Sequence, residues 1–268
     1  MALLRVDALL DFELTTARFR AFGVDLANVW HEGGLHRVVG GRETRIEAAP
    51  GGVDVEPLDA ETEPVARKVL GLEFELEPFY GSTARVPELA ELTARFRGFR
   101  PTLAPDPFEM LVGAITAQQV SLFSATAIRN RLIERFGERA EVAYAFPTRE
   151  RIAVASEEEI VAVGFSRRKA EYTVGLARSE LDLDSLAELP DEQVKSQLVA
   201  LRGLGEWTAD WFLARHLARP RAWPAGDLVL RKAVRALLGD VDVRTAGDRF
   251  DPFQNLTAHY LLAQYLPP

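Results

Sequence analysis

Chemically useful side chains gather between residues 203 and 227. Asp227 closes the run Pro224-Ala225-Gly226-Asp227 and opens the apolar-periodic stretch LVLRKAV. An aspartate in that place is a helix N-cap, its carboxylate held by the first helix amides. A carboxylate so fixed can stabilise positive charge developing on a reacting group, or orient a water beside it. Its plain role is the cap alone, a contribution of about 1 kcal/mol. Upstream, Trp207 and Trp211 sit four apart and share one helix face. Two indoles can flank a flat ring, and a cationic ring would gain about 0.5–2 kcal/mol from cation–π attraction. The ordinary fate of aromatics at that spacing is core packing. Just before them, Gly203-Leu204-Gly205 breaks the helical period. Two glycines in three residues permit positive φ and close backbone approach, and amides there can face a phosphate.

These residues need three helices to position them. Val194, Leu198 and Leu201 mark one face of a first helix opened by Pro190-Asp191, and Trp207, Trp211 and Leu213 continue past the glycines. The hairpin spans 191–218, a loop spans 219–228, and Leu228 to Leu238 forms the helix that Asp227 caps and Gly239 ends. Upstream, Asp106-Pro107-Phe108-Glu109 reads as N-cap, N1 proline and capping box, with Phe108, Leu111, Val112 and Ile115 apolar. That helix ends at Ala117-Gln118-Gln119-Val120, where Ser121 caps the next, which runs to Phe136 and stops at Gly137. Ser156-Glu157-Glu158-Glu159 is a second capping box. Ser166 opens a further helix with Arg167, Arg168 and Lys169 in its first turn, where a phosphate could be received or the cations simply solvated.

The first 80 residues read differently. Leu35–Val39, Thr44–Ala48 and Val53–Val55 alternate as strands around glycine turns, and Glu61 to Leu72 has helical spacing. The chain is therefore expected to be α+β. Residues 1–90 form an N-terminal antiparallel sheet lobe with a helix, taken as purely structural. Residues 91–268 form an all-α core of two helical lobes, entered by a short helix from Pro87 to Arg97.

At 268 residues, 47% apolar and 27% charged, the composition is that of an ordinary globular protein with room for a large core. No apolar run approaches a membrane span and no signal peptide is visible, so a soluble cytoplasmic protein is expected, without membrane partners. Zero cysteines exclude disulfides, thiol catalysis and a cysteine-ligated iron–sulfur cluster. The four histidines are scattered without ligand spacing, so no metal is expected. A net charge of −8 argues against a polyanionic partner until it is divided. Residues 1–92 hold 17 acidic and 9 basic side chains and the remainder 23 of each; 191–240 hold eight basic against six acidic. Anion binding would have to be local, through hairpin amides and a few cations, and would weaken with salt.

LRGLGEWTAD followed by PAGDLVLRKAV resembles the helix-hairpin-helix (HhH-GPD) DNA glycosylase superfamily, and within it the 3-methyladenine DNA glycosylase II branch. The likeness runs from about Asp106 to the C-terminus and, more weakly, over the N-terminal third. It implies a base excision repair enzyme that flips alkylated purines (3-methyladenine or 7-methylguanine type) out of double-stranded DNA and hydrolyses the N-glycosidic bond with Asp227. The alternatives are a glycosylase for hypoxanthine or an oxidised purine, or a DNA-binding protein without catalysis. The resemblance implies a base pocket of Trp207, Trp211 and Leu228, the last standing where some relatives carry aromatics. It places a gap-filling wedge at Gln118 and Gln119, by position Gln119, although both can merely satisfy a helix end. Backbone contacts would come from Gly203, Leu204, Gly205, Thr208, Ser121 and Lys169. Bifunctional relatives carry a nucleophilic lysine where Trp207 stands, so no strand cleavage is expected. Some relatives carry Arg near Gln254, a phosphate contact that would be missing here. No cofactor is implied beyond a monovalent cation on hairpin carbonyls when DNA is bound, and a monomer is expected.

Overall fold

The computed structural model describes residues 2–6, 8–83 and 86–266. Five antiparallel strands, β1 (Ala2–Arg5), β2 (Val29–His31), β3 (Gly34–Val39), β4 (Arg42–Ala49) and β5 (Gly52–Glu56), lie in the order β1-β5-β4-β3-β2. The three longest are the runs legible as alternation. Period two places Leu35, Ile46, Val53 and Val55 on one buried face. Two short helices, α1 (Phe12–Thr16) and α2 (Arg18–Ala21), connect β1 to β2, and α3 (Thr62–Val69) packs Ala66 and Val69 on the buried face. The edge strands and α1–α2 escaped the sequence reading, because segments of three to five residues are too short to show a period.

Two further helices, α4 (Leu76–Thr83) and α5 (Pro87–Arg95), lead to α6 (Pro107–Ala117), α7 (Leu122–Phe136), α8 (Arg149–Ala153), α9 (Glu157–Ala162) and α10 (Arg167–Arg178). The hairpin follows as α11 (Asp191–Val199) and α12 (Glu206–Arg215), and the chain ends with α13 (Leu228–Leu238), α14 (Val243–Ala246) and α15 (Gln254–Ala263). One apolar core joins α6, α7 and α10 to the hairpin through Leu111, Ile115, Leu132, Val174, Val194, Leu198 and Phe212. A second joins α13 to α15 through Leu230, Ala233, Ala258 and Leu261. Among the described residues no helix is long and apolar enough to cross a membrane.

Two polar devices bolt the sheet lobe to the helices. Arg100, 1% exposed, donates to the carbonyls of Leu9, Gly71 and Phe74. The second device corrects an expectation. Asp106 does cap α6, accepting from the Glu109 amide, but the Glu109 side chain does not return to complete a capping box. It pairs instead with Arg37 of β3 and Arg129 of α7, and Arg129 also binds Asp25. Burial alone would raise the Glu109 carboxyl, but Arg37 and then Arg129 outweigh it and hold it below the ordinary range. At Asp25 burial is likewise outweighed, by Arg129 together with hydrogen bonds from Asn28 and the Ala27 amide. Two cations and two carboxylates thus close on themselves where the lobes meet.

Removing one partner strands buried charge. Glu109→Ala is expected to lower unfolding free energy by about 3–5 kcal/mol, read from denaturant midpoints. Because both carboxyls are depressed, their stabilisation is complete above the ordinary values of 4.5 and 3.8 and is lost as pH falls through the lowered folded values. Glu109→Ala should therefore flatten the acid limb of the stability curve.

Candidate active site

Asp227 is the N-cap of α13, with extended backbone at φ −72° and ψ 128°. Its Oδ1 accepts from the amides of Val229 (2.9 Å) and Leu230 (3.0 Å). Its Oδ2 accepts from two side chains, Trp207 Nε1–H at 3.2 Å and Trp211 Nε1–H at 3.3 Å. The i, i+4 spacing on α12 sets the indoles one above the other, and the loop after the hairpin swings the α13 N-terminus against them. Four N–H donors therefore converge on one carboxylate, which offers about four lone-pair sites.

Asp227, Trp207 and Trp211 lie on the wall of a cavity of about 520 Å³. The cavity is closed by residues far apart in sequence. Met110 and Ala114 come from α6, Leu122 and Phe123 from α7, and Arg215 and Leu262 from α12 and α15. The sheet lobe adds Arg18, Phe19, Phe22, Asn28 and Arg37. The lobe taken as purely structural thus forms one side of the cavity, a correction to the sequence reading. At the mouth, Phe123 is 58% exposed and meets Phe22 edge-on at 5.5 Å.

Several expected site residues fall elsewhere. Leu228 is 76% exposed and is not part of the cavity wall; at N1 of α13 its side chain points outward, and Val229 takes the wall position. Trp211 is both core and site: 5% exposed, it packs on His259 and carries the Arg215 guanidinium 4.6 Å over its ring. The two glutamines separate. Gln118 Nε2 donates to the Gly203 carbonyl (2.9 Å), satisfying a backbone group and tying the α6 end to the hairpin. Gln119 is exposed, in the left-handed region at φ 56°, the geometry of a side chain held out on a tight corner.

The hairpin also divides. Gly203, at φ +92°, needs to be glycine because a Cβ there would lie 2.1 Å from the Tyr172 ring. Leu204 is buried and its amide donates to the Leu201 carbonyl, so it offers nothing outward. Thr208, 1% exposed, is packed inside and cannot reach a phosphate. Gly205 differs: open space lies over it, and the α12 amides behind it have no side-chain cap. Ser121 caps α7 by accepting from the Ser124 amide and is exposed. Lys169 turns inward, its ammonium donating to the Thr116 carbonyl at the end of α6, and burial lowers its pKa. Arg167 and Arg168 are the exposed cations there. Gln254 is buried and donates to Asp251.

Two arginines are among the wall residues not singled out from sequence. Arg215 completes the series 207, 211, 215, so extending the helical face by one turn would have found it. Arg18 had no such signal, because only the docking of α2 brings it to the cavity. Burial, the largest influence on both, pulls Arg18 down to about 10 and Arg215 well below the usual arginine range.

A family model for "HhH-GPD superfamily base excision DNA repair protein" matches residues 112–247. The chain is 31% identical over 174 residues to the DNA-3-methyladenine glycosylase of Bacillus subtilis (strain 168), covering 62% of this chain and 57% of that one. It is 32% identical over 147 residues to DNA-3-methyladenine glycosylase 2 of Escherichia coli (strain K12), 53% and 50% of the two chains. The match thus spans about half the length of these relatives. Among solved structures, a 3-methyladenine DNA-glycosylase from Archaeoglobus fulgidus superposes over 100% of both chains with a TM-score of 0.88 and 29% identity. A Clostridium acetobutylicum 8-oxoguanine glycosylase/lyase in complex with double-stranded DNA matches 95% of this chain and 91% of its own at 0.81 and 20% identity, a likeness of fold alone.

The two hairpin glycines should respond differently to a methyl group. Gly203→Ala drives a Cβ into Tyr172 and is expected to lower unfolding free energy by about 1–3 kcal/mol. Gly205→Ala enters open space from an extended backbone and should leave the thermal midpoint unchanged.

Proposed function

The chain belongs to the HhH-GPD superfamily of base excision DNA repair proteins, and on that premise we propose that it is a monofunctional DNA glycosylase. It takes a damaged purine out of duplex DNA and hydrolyses the bond to its sugar. The observation that carries this is the meeting of Asp227 and Trp207 on the wall of an open cavity at the end of the hairpin. The relatives' names support a methylated purine as substrate, as the sequence reading expected. The charge of the cavity bears separately on which purines it holds best.

The reaction follows from the geometry. Gly205 and the uncapped α12 amides receive a backbone phosphate beside the lesion. Arg167 and Arg168 supply nearby positive charge. Gln119 fills the gap left by the extruded nucleotide, and the exposed Val120, Leu122 and Phe123 beside it give the apolar surface that an amide lacks. Flipping costs a few kcal/mol, least where damage weakens pairing. As the glycosidic bond lengthens, its electron pair leaves with the base and the sugar becomes an oxocarbenium ion. The Asp227 carboxylate faces that charge. Its acceptor sites are already filled by two amides and two indoles, so it acts by charge and leaves the water's proton to pass to solvent or the departing base.

No described residue of the cavity wall is a lysine, and the indole of Trp207 has no nucleophilic amine. Both support hydrolysis without a covalent intermediate. A monovalent cation could use the second lone pairs of the Gly203 and Leu201 carbonyls, which accept from Gln118 and Leu204; no step above requires it.

Asp227→Asn keeps a cap and removes the charge. With duplexes carrying 3-methyladenine, 7-methylguanine, hypoxanthine or 8-oxoguanine, it should slow base release by about 10²–10³-fold. Release unaffected by the substitution would refute the assignment. Scored separately, strand breaks should be absent and borohydride should trap no protein–DNA adduct. A trapped adduct would make the enzyme bifunctional.

A further inference from the structure

The cavity carries more positive charge than its ion pairs use. Four arginines, Arg18, Arg37, Arg129 and Arg215, stand on its wall against three carboxylates, Asp25, Glu109 and Asp227. Arg37 and Arg129 are consumed by Glu109 and Asp25. The side chains of Arg18 and Arg215 form no ion pair or hydrogen bond among the described residues, Asp227 acting on both only as a nearby charge, and the buried Arg215 Nε has no partner. Both also line a second cavity of about 30 Å³ behind the first, where His259 presents a buried Nε2 that likewise lacks a partner. Unpaired guanidiniums are costly inside a protein and are kept where they meet a ligand. Arg215 also covers a face of Trp211, so that indole is not free to stack on a cationic base.

The geometry points to Arg18 and Arg215 as specificity residues that make the cavity prefer a neutral 6-oxopurine, such as the hypoxanthine left when adenine is deaminated, over a cationic methylated purine. This rests on the glycosylase reading above. Two fixed cations repel a base that is itself positive. They attract one that offers carbonyl and ring-nitrogen acceptors, the edge that a guanidinium fork fits. The chemistry runs the same way. A cationic purine takes the glycosidic electron pair and departs neutral, needing no help. A neutral 6-oxopurine takes the same pair and departs as an anion, its charge spread over ring nitrogens and the oxo group. Water adds to the sugar carbon, and its proton neutralises that anion. Guanidiniums at the acceptor edge stabilise the anion as it forms and so act in the transition state.

The test measures free base released in single turnovers by the full chain. The substrates are a duplex with one hypoxanthine and methylated DNA carrying 3-methyladenine, and the proteins are wild type, Arg18→Met, Arg215→Met and Arg18→Lys. Wild type should release hypoxanthine. In each methionine variant the ratio of hypoxanthine to 3-methyladenine release should fall about ten-fold or more, the worth of one lost bidentate contact. The fall should lie in the rate at saturating enzyme, with 3-methyladenine release rising as repulsion is relieved. Arg18→Lys, which keeps the charge and loses the fork, should fall between. Equal loss of both activities, an unchanged ratio, or a wild type that releases 3-methyladenine but not hypoxanthine would overturn the inference and leave the glycosylase reading standing. No base from either substrate would overturn that reading and this inference with it.

Discussion

A single carboxylate ties the architecture together. Asp227 accepts from two amides of its own helix and from two indoles of another, so it fixes the start of α13 against the face of α12. Each bond is ordinary, and a hydrogen bond to a charged acceptor contributes about 1.5–3 kcal/mol. Together they hold the oxygens in one place before any ligand arrives. That preorganisation makes a charge useful against a transition state, since nothing has to reorient as positive character develops. The aromatic spacing, the glycine hairpin and the loop of 219–228 can all be understood as what brings those donors to that acceptor.

The sheet lobe belongs to the same arrangement. Glu109 reaches past its own helix cap to Arg37 on β3, and Arg129 reaches Asp25. The closed set of charges sets the lobe where α2 can lay Arg18 along the cavity. Buried charge is costly unless fully paired, which is why these four groups pair so completely. The two arginines left over stand out against that background. A fold that pairs the other two arginines of the cavity wall, yet leaves these two without an ion-paired partner beside Asp227, has reserved them for something that enters.

The acidic balance of the chain fits the local mode of DNA contact proposed above. The excess of carboxylates lies in residues 1–92, while the hairpin region is slightly basic. Lys169 turns inward to a helix end, while Gly205, the uncapped α12 amides, Ser121 and Arg167 with Arg168 face outward. Few cations imply a shallow dependence on salt and an affinity resting on geometry more than on charge density.

The sequence by itself determined what is written in short-range terms. It fixed Asp227 and Asp106 as caps, the glycine break between α11 and α12, the shared face of Trp207 and Trp211, and the three longest strands. Each depends on residues within one or two turns or on a two-residue alternation. Tertiary structure alone decided which of those faces meets which. It buried Thr208, turned Lys169 inward, separated Gln118 from Gln119, and put Leu228 outside the cavity. It also brought Arg18 to a wall whose other members lie up to the far end of the chain. Such placements depend on how helices dock and which charges find partners across long stretches of sequence. No local period records that choice, because it is made by the packing of the whole core.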